Sequence, residues 1–396
     1  MTLHDTTEFS KKAGIVLGLL LGLVIIVTVF LKVGAVIHAI LFPPKIAAPN
    51  EAYGKLPPYN FPQSSVTEQF TYTINTVSGA LPDDFPDRLY VYPMIISQPD
   101  VLNLQNAKQN VSNLQFVNGQ GDPLPAIPLG GPEYEWRETT PGLTGFQRTI
   151  DYNVVNQNFT MNSNYLTQLS VLQAQYIQNM NDPTAAIQTV QTFLSSFNGF
   201  PSDVDLALTQ NPPDGDSYTT APQLYAVVNG QLQPTTALAN AQVVRVDLYQ
   251  KEIDYTLTAG IGQDLTHSKD FDMTLPIIYP HPPYSTMHFL VASGQNEAEI
   301  ASAIYQHQTI NLQPENVATY PIKSPQQAFD ELKSGKAYIA SYNGTESQIL
   351  INKVFLAYYM GATQQNYLMP VVIFQGQDGF FAYVPAILDN SGSSSQ

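Results

Sequence analysis

The sequence predicts an α+β protein with an N-terminal transmembrane helix, then a β-rich region and two helix-on-antiparallel-sheet domains in tandem. Residues 13–31 form an uninterrupted run of nineteen uncharged residues, close to the ~20 needed to cross a bilayer as a helix. Short segments of alternating apolar and polar residues, typical of strands, fill much of the remaining chain. Amphipathic helical segments in two places precede further strand candidates, which is typical of helices packed on antiparallel sheets.

Composition restricts the classes of partner and site. Residues 67–396 hold 11 basic and 29 acidic residues, and the whole chain has a net charge of −16. Such a region repels phosphate backbones, so we expect no nucleic-acid partner. The chain has no cysteine, which excludes disulfides, thiolate metal sites and a cysteine nucleophile.

The apolar run predicts an uncleaved membrane anchor. We expect a cytoplasmic tail at residues 1–12 and a transmembrane helix at 13–41, with Lys11, Lys12 and Lys32 as interface anchors. A signal peptide is the alternative, but its apolar region would span only about 7–15 residues. The prediction is a single-pass protein of the cell membrane, with the bilayer as partner, a cytoplasmic N-terminus and an extracytoplasmic C-terminal region.

Three glycines lie four residues apart in this helix. Gly14, Gly18 and Gly22 share one helix face, where two backbones can approach closely. The spacing predicts a membrane-helix packing site and a possible homo-oligomer. The alternative is that glycine is simply frequent in membrane helices.

The next two segments differ in character. Residues 42–65 are rich in proline, which predicts a stiff, extended linker. Residues 66–150 are predicted to form a β-rich domain, with strand candidates at 66–77 and 88–96 and a loop-heavy stretch at 114–145.

Residues 151–270 are predicted to form the first α+β domain. Helical patterns cover 164–180 and 182–197, and 243–257 reads as one long strand. Between them, Asn229-Gly230 is the preferred dipeptide for a tight hairpin turn.

Residues 271–389 are predicted to form the second α+β domain. Ser324-Pro325 begins a helix that Gly335 ends, and residues 376–379 form the turn between the last two strands. Residues 390–396 are predicted to be a disordered tail. The order of elements loosely repeats that of 151–270, so an internal duplication stays an open alternative.

The last third carries a family resemblance. The segment YPIKSPQQAFDELKSGKAYI at 320–339, followed by VFLAYYMG and YLMPVVIFQG, resembles PepSY-like and YycH/YycI-like bacterial envelope proteins. The resemblance covers the last 130–230 residues in element order and short phrases. It implies a single N-terminal membrane helix and a binding or regulatory role, since YycH/YycI-like proteins contact a sensor kinase in the membrane. It therefore implies a membrane or envelope protein partner.

The sequence contains no catalytic signature that we recognise. None of the six histidines has a metal-binding spacing, and there is no GxSxG nucleophile motif. His281 is interpreted as a loop residue, and His288 and His307 as structural residues in strands. Acidic residues at 83–87 and 214–216 lack EF-hand spacing and are interpreted as solvated turns. We predict no catalytic residue, no cofactor, no metal site and no enzymatic activity.

Aromatic residues crowd the C-terminal strands, at Tyr358-Tyr359 and 380–383. Alternate side chains point to opposite faces of a strand, so one face is core and the other is either core or an interaction surface; core alone is the favoured interpretation.

The leading functional hypothesis is an extracytoplasmic binding or regulatory protein that acts through protein–protein contacts. A membrane-tethered hydrolase or saccharide-binding module, and a self-assembling structural surface protein, are the alternatives.

Overall fold

The computed structural model describes residues 48–64, 69–139, 147–168, 183–210, 212, 218–261, 264–293 and 298–388. The predicted cytoplasmic tail, the transmembrane helix at 13–41 and the C-terminal tail at 390–396 lie outside these ranges. Within them, no helix is both long and apolar enough to cross a membrane.

Strands dominate the described ranges, and the α+β class is confirmed. The strands, in chain order, are β1 Thr71–Ile74, β2 Arg88–Ile95, β3 Ile127–Gly130, β4 Glu133–Arg137, β5 Arg148–Asn153, β6 Phe159–Ser163, β7 Gln223–Val228, β8 Gln231–Pro234, β9 Val243–Asp247, β10 Ile253–Ile261, β11 Asp264–Leu275, β12 Ile277–Ile278, β13 Met287–Ser293, β14 Ala298–Tyr305, β15 Thr309–Ile310, β16 Ala318–Pro321, β17 Tyr338–Ser341, β18 Gln348–Tyr359, β19 Tyr367–Gly376 and β20 Phe381–Pro385. The α-helices are α1 Asn103–Asn113, α2 Tyr165–Gln168, α3 Ala185–Phe197, α4 Leu206–Gln210 and α5 Pro325–Lys333.

The strands form two large sheets and one separate hairpin. The first sheet has the order β3-β4-β5-β6-β14-β13-β9-β7-β8, with antiparallel pairing throughout. The second sheet follows the path β1-β18-β19-β2-β15. β20 joins β17 to β19, β16 pairs with β2, and β12 pairs with β18. β10 and β11 pair only with each other among the described strands.

The sheets do not coincide with the expected segments. The strands of the predicted domain 66–150 are divided between the two sheets, because β1 and β2 belong to the second sheet and β3, β4 and β5 to the first. β13 and β14 lie within 271–389 but complete the first sheet. Alternation along the sequence indicates that a segment is a strand, but not which distant strand it pairs with.

Helix α3 covers the first sheet, as the pattern at 182–197 predicts. Its buried side chains recur at helical spacing, at Ala186, Ile187, Val190, Leu194 and Phe197. They pack with Trp136, Phe159 and Phe289 in one core. Helix α1 lies beside α3 on the same core and was not predicted.

Helix α5 begins and ends where the sequence predicts. The Ser324 hydroxyl accepts from Gln327 N–H at 3.2 Å, and Gln327 Oε1 accepts from Ser324 N–H at 2.8 Å, which forms a capping box. Gly335 follows the helix with φ +74°. Ala328 and Leu332 pack into the core of the second sheet.

Residues 48–64 form a strap on the second sheet rather than a free spacer. Phe61 stacks on Tyr338 with ring centroids 5.1 Å apart and meets Tyr359 edge-on at 4.7 Å. The Tyr59 hydroxyl donates to Pro370 O at 2.6 Å. The predicted linker at 42–65 therefore lies against the folded region over its described part, because its aromatic rings pack on those of the sheet.

The strap also explains the C-terminal aromatics. Tyr358 and Phe380 lie in the core on one face of the second sheet. Tyr359, Phe381 and Tyr383 lie in the core on the other face, under Phe61. Both faces are buried, which confirms the interpretation of these residues as core.

A buried ion pair fixes β5 to the end of α1. Arg148 and Glu138 meet at 2.8 Å, with side chains only 4% and 2% exposed. Arg148 also donates to Leu114 O at 3.0 Å and lies over the Phe116 ring.

Replacing Glu138 by glutamine should test this pair. We expect Glu138→Gln to lower the free energy of unfolding by about 3–5 kcal/mol, because the Arg148 charge stays buried without its counter-charge. Urea unfolding measures the loss. The matched control is Glu135→Gln, which removes the partner of the exposed Arg137 and should cost only about 0–1 kcal/mol. Equal losses would contradict the assignment.

Removing the Phe61 ring should loosen the strap. We expect Phe61→Ala to speed trypsin cleavage at the exposed Lys55 and to destabilise the fold by about 2–3 kcal/mol, since a half-buried ring loses its packing. Val77→Ala, at a fully exposed side chain, serves as control. Unchanged cleavage at Lys55 in Phe61→Ala would show that the ring does not hold the strap.

Candidate functional site

The residues predicted to act in the membrane lie outside the described ranges. The structure therefore leaves the following predictions untested: Gly14, Gly18, Gly22, Lys11, Lys12 and Lys32.

His281, His288 and His307 have separate environments. His281 is exposed, and its carbonyl accepts from Tyr284 N–H at 2.9 Å. His288 lies on β13, where burial and the nearby Arg245 lower its pKa. His307 follows β14, with Nε2 2.9 Å from Asp203 Oδ1. No cluster of three or more potential metal-binding side chains occurs in the ranges that the structure covers.

Asp203 and His307 belong to a polar junction between the two sheets. Gln250 donates through Nε2 to Asp203 Oδ2 and to Gln308 O, both at 2.9 Å. Gln308 in turn donates to Gly361 O at 2.8 Å, in the connection between β18 and β19. Burial alone would raise the pKa of Asp203, but hydrogen bonds from His307 and Gln250 and the His307 charge hold it below its usual value.

The main groove lies between the β10–β11 hairpin and strand β18. Its volume is about 560 Å³. Loop 82–85 and strand β11 form its walls, and the edge of β18 forms its floor. The aromatic residues that line it are Phe85, Tyr218, Phe271 and Phe355.

The hairpin wall is fastened to the second sheet. Leu257 and Phe271 pack with Tyr90 of β2. Near the hairpin tip, Gly260 N–H donates to Asp87 Oδ1 at 2.9 Å, and Asp87 N–H donates to Gly260 O at 3.0 Å. Arg88 forms an ion pair with the same carboxylate, with Nη2 2.6 Å from Asp87 Oδ2. The groove is therefore bounded by a fixed wall.

The floor of the groove is a stretch of β18 edge. β19 pairs along one side of β18; on the other side, β1 pairs with Gln348–Ile351 and β12 with Tyr358–Tyr359. Between them, at 352–357, no strand within the structure's described part pairs with this edge. The Tyr358 N–H donates to Pro276 O at 2.9 Å, away from β19. Strand alternation turns the backbone groups of Leu356 and Val354 the same way.

Pro276 gives a chemical reason for the gap. In the parallel ladder of β12 and β18, the residue at position 276 would next donate its N–H to Leu356 O. Proline has no amide hydrogen, so this bond cannot form. The ladder therefore stops at Tyr358.

The charged lining of the groove is predominantly acidic. Four carboxylates line it against two ammonium groups, and they belong to Asp84, Glu252, Asp270 and Asp272, and to Lys269 and Lys353. Each lysine lies over a phenylalanine ring, Lys269 at 5.1 Å from the centroid and Lys353 at 5.0 Å. The groove thus combines open backbone, aromatic rings and acidic side chains.

A second groove of about 560 Å³ lies between α1 and the β4–β5 hairpin. Tyr134, Asn103 and Asn153 line it. Beside it, Ile127 and Leu129 are exposed on the edge strand β3.

Comparison with known proteins yields little. No family model matches the chain, and no curated protein matches it. Among solved structures, the Bacillus megaterium YpeB C-terminal domain is similar with a TM-score of 0.30 and 10% identity, over 74% of this chain and 95% of that one. At this TM-score the likeness assigns neither family nor function.

Asp203 should contribute to stability in a pH-dependent way. Because its pKa in the fold is depressed, its contribution is present above about pH 4, the unfolded value, and is lost as pH falls through the folded value. We expect Asp203→Asn to cost about 1.5–3 kcal/mol at pH 7 and less at pH 3, by urea unfolding. The exposed Asp83→Asn is the control, and a pH-independent difference between wild type and Asp203→Asn would refute the assignment.

Proposed function

We propose that this chain is a single-pass membrane protein whose extracytoplasmic region binds another membrane or envelope protein through the main groove. The membrane anchor at 13–41 and its orientation are predictions from the sequence. The groove is a feature of the folded region that the structure describes. The protein acts through protein–protein contact, as a binding or regulatory protein rather than an enzyme.

The open edge of β18 carries this proposal. An unpaired strand edge is a template for pairing with another chain, and proteins usually block such edges. Here a hairpin fastened at its tip by Asp87 leaves an opening of about 560 Å³ beside the edge, within the range of about 300–1,000 Å³ of ligand clefts. Aromatic residues line the opening, as they do in many interfaces.

Site-specific photo-crosslinking in the intact envelope tests the proposal. A crosslinking amino acid at Lys353, in the groove, should yield an adduct with one membrane or envelope protein. The same amino acid at Lys336, exposed beyond α5, should yield none. The adduct is identified by mass spectrometry and confirmed by the reciprocal crosslink from the partner.

A pair of tryptophan variants makes the test specific. Thr274→Trp places an indole in the groove, whereas Thr236→Trp places one on an exposed loop after β8, outside the groove lining. We expect at least a tenfold loss of the Lys353 adduct in the first variant and little change in the second. Equal adducts in both variants, or equal labelling from Lys353 and Lys336, would overturn the proposal.

A further inference from the structure

We infer that the groove takes up an extended, basic peptide segment that adds as a strand to the open edge of β18. This inference rests on the proposed function and specifies the chemistry of the partner. Three features support it: the length of the gap, the backbone groups that face it and the charge of its walls.

The gap has the length of a short strand. β1 stops pairing at Ile351 and β12 starts at Tyr358. The ladder registers place Asn75 beside Asn352 and Pro276 beside Ala357, so at about 3.3 Å per residue the free edge at 353–356 is roughly 13 Å long. A guest strand with about four residues in the gap fits it.

The structure fixes both ends of the gap. At one end, Asn75 N–H donates to Ile351 O at 2.8 Å, and its side-chain amide donates to Asn352 Oδ1 at 3.1 Å. At the other end, Pro276 accepts from Tyr358 but cannot donate to Leu356. Strand β12 therefore cannot extend its ladder to Leu356.

Two residues of the gap are largely buried, and their side chains belong to the core of the second sheet. Val354 is 7% exposed and Leu356 is 3% exposed. A buried backbone carbonyl without a hydrogen-bond partner costs free energy comparable with a lost bond. A guest backbone that donates to Leu356 O supplies the hydrogen that Pro276 lacks, as in recognition by strand addition.

The walls favour a basic guest. Asp270 and Asp272 lie two residues apart on β11 and therefore share one face of the strand. Both lysines of the groove already lie over phenylalanine rings. Side chains of a guest strand alternate between two faces, so one row meets carboxylates and the other meets the aromatic lining.

Peptide binding to the full chain in detergent tests the inference. The probe is a fluorescent hexapeptide of alternating lysine and valine, measured by anisotropy. We expect saturable binding, at least tenfold weaker binding of the glutamate–valine counterpart, and a loss of at least tenfold when alternate amides along one edge are N-methylated. Methylation along the other edge should have little effect, because those amides face away from β18.

A substitution at Pro276 tests the inference by changing the protein instead of the peptide. Pro276→Ala supplies an amide N–H opposite Leu356 O, which should extend the β12 ladder and weaken hexapeptide binding about threefold to tenfold. Pro314→Ala, at the start of a distant 3₁₀ turn, is the control. Urea unfolding verifies that both variants stay folded.

Each contrary result has a distinct meaning. No saturable binding of the lysine–valine peptide below about 1 mM, or equal effects of methylation along both edges, would overturn strand addition. The proposal that the main groove binds another membrane or envelope protein would then depend on the Lys353 crosslink alone. A dimer that forms without peptide and dissociates when peptide is added would assign the edge to a second copy of this chain, and would overturn the inference of a separate basic partner.

Discussion

The hydrogen-bonded pair of β18 and β19 is the element on which the second sheet depends. β18 carries β1 and β12 on its outer edge, and β19 carries β20 and β2 on the other side. Both strands are buried on two faces, by the main core and by the core under the strap. In such a position the backbone can satisfy its hydrogen bonds only through neighbouring strands. Among the described strands, none pairs with the outer edge of β18 at 352–357, and this is the edge to which we propose that a guest strand adds.

Features encoded by local chemistry could be predicted from the sequence. The capping residues Ser324 and Gln327 fix the start of α5, and Asn229-Gly230 adopts the positive φ values of its predicted hairpin turn. Features that depend on distant contacts could not be predicted. The segment at 243–257 reads as one strand, yet it divides into β9 and β10 where residues 248–252 cross between the two cores. Asp203 and His307 lie 104 residues apart, and α1 has no capping side chain to mark its start.

The candidate groove could not be predicted from the sequence for the same reason. Pro276 looks like any loop proline in the sequence, and its importance appears only when β18 lies beside it. The groove also contains no motif, because strand addition draws on main-chain groups that every residue carries. In the proposed binding mode, selectivity would come from the walls, because the hairpin leaves room only for an extended chain and the carboxylates disfavour acidic segments. The edge strand β3 of the first sheet, by contrast, carries Pro128, a residue type that blocks pairing at strand edges.

The strap determines how the molecule would respond to a pulling force applied from its N-terminal side. Its contacts follow one another along the chain, from Glu51 N–H on Thr319 O, through Tyr53 on Tyr320, to Phe61 on Tyr338. Force applied from the N-terminal side would load these contacts one after another, so they would peel rather than shear. The seventeen residues 48–64 would then extend by up to roughly 55–60 Å of chain before the β-ladders carried any force. The strap thus gives the molecule a compliant element in series with its stiff sheets.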